Sequence, residues 1–155
     1  MASRLDTTIE TGRTYDIDFV NWTESVEGEA QFVFGDLSKK TTGVIKAVNK
    51  FLNTLLTRKG SDPFDLNRGT LFEEVQYRGG DTVETIGTFA SNEVSDALSQ
   101  TQSIQSEYNW PDDENIVDVV ISDIELTTSD KLILKLRITT EAGVGVSVKV
   151  PMLGG

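Results

Sequence analysis

Neither cysteine nor histidine occurs anywhere in this sequence. The first absence excludes disulfides, thiolate metal sites and cysteine nucleophiles together. The second removes the commonest metal ligand, the usual general base near neutral pH, and the Ser-His-Asp and Cys-His arrangements. Positive charge is scarce as well: 14 Lys and Arg against 25 Asp and Glu leave a net charge of -11. A nucleic acid would repel that average, so it is not an expected partner. The lysines of the first helix are the one basic patch in view, and a solvated helix face explains them. No run approaches the ~20 apolar residues of a membrane span, and the segment from Met1 to Asp6 lacks the apolar core of a signal peptide. The expectation is a cytoplasmic product with no membrane partner. Proline is limited to Pro63, Pro111 and Pro151, and each punctuates the chain.

What is present is organised around the stretch from Asp36 to Phe72. Leu37, Val44, Ile45, Val48, Phe51, Leu52, Leu55 and Leu56 recur by threes and fours, one wide stripe on a helix of about 3.6 residues per turn. Lys39, Lys46, Lys50 and Asn53 fall between them and are expected to face water, with Asp36 or Ser38 as the cap. Arg58 and Lys59, then Gly60, then Pro63 are stop signals, so residues 58–69 are expected to hold a defined turn.

The remainder completes a single domain. Residues 1–13 are polar and aperiodic and read as a flexible arm before a domain over 14–155. Tyr15 to Val20 and Ala30 to Phe34 read as short strands. From Asp81, Val83, Ile86, Ala90, Val94, Ala97, Leu98, Ile104 and Tyr108 give a second helix, stopped by Pro111. Val117, Val119, Ile121, Ile124 and Leu126 then form a strand with a slip at Ser122-Asp123 that marks a bulge. Leu132 to Ile138 and Val144 to Val150 alternate as two more, joined by turns at Ser129-Asp130 and Ala142-Gly143. The fold class is therefore α+β: two amphipathic helices packed on a C-terminal three-stranded antiparallel meander, with one or two short N-terminal strands.

The candidate chemistry is thin. Asp62, Asp65, Glu73 and Glu74 cluster near the turn, but glycoside hydrolysis needs a specific pair about 5 to 9.5 Å apart in a cleft. Capping of a solvated turn explains them better. Asp65-Leu66-Asn67-Arg68-Gly69 brushes a calcium loop and fails it, with Gly69 where an oxygen ligand belongs and Gln76 in place of the bidentate Glu. Gly60, Gly69 and Gly79-Gly80 lack the lysine and hydroxyl of a phosphate loop, and the terminal Gly154-Gly155 is a weak likeness to a conjugation tail. No cofactor, metal or catalytic residue is expected. Trp22, Trp110 and Tyr108 are either partner anchors or core residues. A meander has two open edges, and the strand of Val144, Val146, Val148 and Val150 offers one to an extended segment unless an N-terminal strand covers it.

The turn carries a resemblance. Leu55, Thr57, Gly60, Pro63, Phe64 and Gly69, with Arg58 in the Thr-Arg-x-Gly turn, resemble the small baseplate wedge subunit of contractile bacteriophage tails. That family is historically labelled lysozyme-like and has a type VI secretion baseplate counterpart. The likeness spans roughly residues 15–150. It implies a non-enzymatic structural protein of the virion, assembled in the host cytoplasm in multiple copies within a symmetric baseplate. Its partners would be other wedge proteins and tail sheath subunits, whose extended arms add strands to the sheet edge. The family commonly carries Glu-Pro-Arg before the first terminal strand to grip the wedge core. Here Trp110 to Ile116 keeps Glu114 without the arginine. The partner-binding residues implied are thus Val144, Val146, Val148, Val150, Glu114, Trp110, Arg58 and Phe64. A peptidoglycan-cleaving enzyme and a cytoplasmic adaptor on the same fold are the alternatives.

Overall fold

Period-2 alternation dominates the C-terminal third, and there the computed structural model places three long antiparallel strands. Residues 16–17, 20–21, 29–34, 40–77, 82–126 and 132–151 are described. In chain order they form β1 (Asp16–Ile17), β2 (Val20–Asn21), β3 (Glu29–Phe34), β4 (Lys40–Thr41) and α1 (Gly43–Leu56). A short 3-10 turn (Phe72–Tyr77) follows, then α2 (Val83–Tyr108), β5 (Ile116–Leu126), β6 (Leu132–Thr140) and β7 (Gly145–Pro151). The α+β architecture read from the sequence is the observed one, with both helices and the terminal meander in their expected places.

The meander is part of a larger sheet. Five strands run in the order β2-β3-β7-β6-β5, with β3 parallel to β7, while β1 and β4 pair separately. Of Tyr15 to Val20, read as one strand, the described residues divide between two: Asp16–Ile17 joins β4, and Val20 belongs to β2, which joins β3. Leu134, Leu136, Ile138, Val146, Val148 and Val150 alternate inward and meet Val48, Phe51, Leu52, Ala90 and Val94 in one core. β5 carries the expected irregularity between Ile121 and Asp123, and a further one between Ile116 and Asp118. The second bulge shifts the register by one residue. Ile116 and Val119 consequently point inward, and Val117, expected inside, is exposed.

Helix α1 begins at Gly43, so the stripe starts later than the sequence indicated. Leu37, Lys39 and the caps proposed at Asp36 and Ser38 lie outside the described residues. So do the arm over 1–13, Trp22, Gly79-Gly80, Asp81, the Ser129-Asp130 turn and Gly154-Gly155. The helix ends at Leu56 with an extended Thr57, one step ahead of the basic residues assigned to its last turn. α2 is capped by the Thr82 hydroxyl, which accepts from the Thr85 N–H. Its buried row is Ile86, Ala90, Val94, Ala97, Thr101 and Gln105, an unbroken series of threes and fours that turns polar at its C-terminal end. Ile104 and Tyr108, read as core positions, are exposed. No helix of the described residues is long and apolar enough to cross a membrane.

Phe51 is fully buried at the centre of α1. Phe51→Ala should cost about 3–5 kcal/mol, the range for emptying an aromatic site in a packed core. Urea unfolding followed by tryptophan fluorescence measures it, and a cost below about 1 kcal/mol would place Phe51 outside the cooperative core.

Candidate functional site: a pinned loop, a buried carboxylate and a sheet edge

The loop over 57–71 is tied along most of its length. Thr70 pairs with the chain on either side of Arg58, its N–H donating to Thr57 O at 2.9 Å and its carbonyl accepting from Lys59 N at 2.9 Å. Gly69 lies at φ 94, and a Cβ there would stand 2.4 Å from the Thr57 carbonyl oxygen, so only glycine admits this crossing. Gln100 of α2 grips Gly69 from both sides, accepting from its N–H at 3.0 Å and donating to its carbonyl at 2.9 Å. Glu93 accepts from Leu71 N at 2.7 Å. At the tip, Asp62 accepts from Phe64 N and Asp65 from Asn67 N, two Asx turns that use the carboxylates as caps. Arg68 joins Asp62 at 3.2 Å to the Asn53 side chain at 3.0 Å. The Asp62 pKa is lowered, first by the Phe64 N–H and then by the Arg68 guanidinium, against some desolvation.

Held this way, the loop displays apolar side chains outward. Phe64 is 98% exposed and Leu66 66%. Arg58 stands at the base, its Nε 2.9 Å from Glu73, with its own side chain largely in water and that of Glu73 partly so. The sequence brought Arg58 and Phe64 forward as partner-binding residues, and the structure places both on this loop.

At the other end of α1 the picture reverses. Glu114, read as a wedge-gripping residue, is 1% exposed. One carboxylate oxygen accepts from Lys46 Nζ at 2.7 Å and the other from Gly43 N at 3.1 Å. Lys46, expected to face water, is buried with it and lies 5.8 Å from the Trp110 ring centroid. Glu114 is thus a remote cap, closing a helix N-terminus whose Thr42 makes no side-chain cap bond. The physical reason for both corrections is mutual: a charge leaves water here only because its partner, brought from 68 residues away, leaves with it. Trp110 is half-buried over this pair, between the anchor and core roles open to it.

The edge assigned to the last strand is also corrected. β3 pairs with β7 through Glu29↔Ser147, Ala30↔Val148 and Gln31↔Lys149. Val146, Val148 and Val150 are core residues, and Val144 precedes the strand as a half-buried neighbour. Strand β5 is the long edge instead, paired on one side by β6. Its first residue is closed by Gln105, which accepts from Ile116 N at 2.8 Å and donates to Ile116 O at 3.1 Å, as a paired strand would. Gln102 adds donors to Ile116 O and Val117 O at 3.3 Å. From Asp118 to Leu126 the edge has no neighbouring strand among the described residues.

Gln100 and Gln105 shape these features and escaped the sequence reading, and Lys46 was read as facing water. For Gln105 a signal existed, since it continues the buried row of α2 at helical spacing, where a polar residue implies a buried bond. Lys46 had none, because its partner is distant in sequence. A small open cavity of about 230 Å³ lies beside Gln105, bordered by Gln102, Ser106, Asn109, Asn115 and Glu141. No group of three or more acidic side chains among the described residues could hold a metal ion.

Removing one member of the buried pair strands the other. Glu114→Ala should therefore cost about 3–5 kcal/mol, and Lys46→Met/Glu114→Leu clearly less than the two single changes summed. A double-mutant cycle in urea measures this, and additive costs would contradict the coupling. In the loop, Gly69→Ala should cost about 1–3 kcal/mol. Gly60→Ala, also at positive φ but with its nearest neighbour 3.9 Å away, should cost less. Thermal unfolding of both variants ranks them, and the reverse order would contradict the crossing at Thr57.

No family model matches this chain, and no curated protein matches it either.

Proposed function

We propose that this chain is a non-enzymatic structural subunit of a contractile tail baseplate, docking wedge and sheath proteins. The observation that carries the reading is the pinned loop. The positions that bear the resemblance have demanding local roles: Thr57 receives the crossing strand, Gly69 permits it, and Pro63-Phe64 form the displayed tip. Such requirements favour a specific loop over generic amphipathic order. Strand addition by a sheath arm, first assigned to Val144 to Val150, belongs in this reading on β5 between Asp118 and Leu126. The acids of the turn support the same side of the choice, since Asp62 and Asp65 cap backbone amides and Glu73 pairs with Arg58.

The test is a map of purified contractile particles from the producing bacterium. The expected result is this chain in the baseplate, in several copies, with a strand of another protein along β5. Particles that lack the chain would overturn the reading. So would clearing of a cell-wall suspension by the purified protein that disappears in Glu73→Gln or Glu74→Gln.

A further inference from the structure

Phe64 is the most exposed large apolar side chain among the described residues, at 98%, and Leu66, two residues on in the same loop, is 66% exposed. Exposure of single apolar residues is ordinary on mobile tips. Here it coincides with a loop fixed by the Asx turns at Asp62 and Asp65, the Thr57–Thr70 crossing and the Gln100 clamp. A rigid aromatic loses little conformational freedom on docking, which is what makes an anchor effective. Charge indicates what receives it. The tip flanks Phe64 with Asp62 and Asp65, on a chain of net charge -11. An anionic lipid surface would be repelled. Asp62 is already answered by Arg68, whereas the exposed Asp65 carboxylate meets only the Asn67 N–H among the bonds described. We propose that Phe64 and Leu66 plug into an apolar socket on a different protein, with a lysine or arginine on its rim facing Asp65. This deepens the assembly reading by naming a second contact, independent of the β5 edge and on the opposite flank of α2.

The experiment places p-benzoylphenylalanine at position 64 of the full chain in the producing bacterium, with the same probe at exposed Val83 as control. Irradiation should give one discrete adduct from position 64 and not from 83, mapped to an apolar segment of another polypeptide bordered by Lys or Arg. Phe64→Ala should keep the wild-type melting temperature and bind that polypeptide at least about 30-fold more weakly, and Asp65→Asn should weaken it less. The inference is overturned by no adduct, adducts scattered over many proteins, lipid adducts, an adduct with a second copy, or unchanged binding by Phe64→Ala. Immunoblotting of purified particles separates the two proposals. A chain absent from particles defeats the baseplate reading, while the adduct at position 64 still decides the socket.

Discussion

The carboxylate of Glu114 connects parts of the chain that no local preference would bring together. It closes the N-terminus of α1 through Gly43 and neutralises Lys46, and its own turn leads directly into β5. That turn is fastened to the β6–β7 turn by Glu141 N donating to Asn115 O and Ala142 N to Asp112 O. One buried charge pair therefore sets the position of the first helix against the start of the sheet. Gly43 is favoured there by its left-handed backbone at φ 65, and a Cβ would also stand 3.1 Å from the Asp113 carboxylate. Apolar packing supplies most of the stability of such a core, but it is not directional. The pair supplies the direction.

Helix α2 extends the same logic with amide side chains. On one flank Glu93 and Gln100 hold the loop after α1, and on the other Gln102 and Gln105 close the beginning of β5. Each glutamine offers a donor and an acceptor and so substitutes for a passing strand. The consequence is a division of the surface. Backbone that would invite non-specific pairing at Ile116 is closed, the edge beyond Asp118 has no neighbouring strand among the described residues, and Phe64 stands out on a braced tip.

Much of this was legible in the residues. The two helices and the last three strands follow from periods of 3.6 and 2, and the bulge at Ser122-Asp123 from a slip in the alternation. The acids of the turn were also legible as caps, because Asp62 and Asp65 each stand two residues before an amide they accept from. The misreadings share a cause. Lys46 looked solvated, Glu114 looked like a partner contact, and Val144 to Val150 looked like an edge, because each depends on a segment remote in sequence. Val117 was misplaced by a bulge at Ile116–Asp118 that leaves no mark in the hydrophobic pattern.

What the sequence by itself determined was therefore local: element type, most of the apolar face of α1, β6 and β7, and the punctuated turn from Thr57 to Gly69. These depend on side-chain period, glycine conformation and capping, which act over a few residues. Only the tertiary structure decided which charges are buried, which strand is the edge and which apolar side chain remains in water. Burial of a charge and pairing of an edge are settled by whichever partner arrives from elsewhere in the chain. The cost of leaving either unpaired makes that choice, and no short window of sequence contains it.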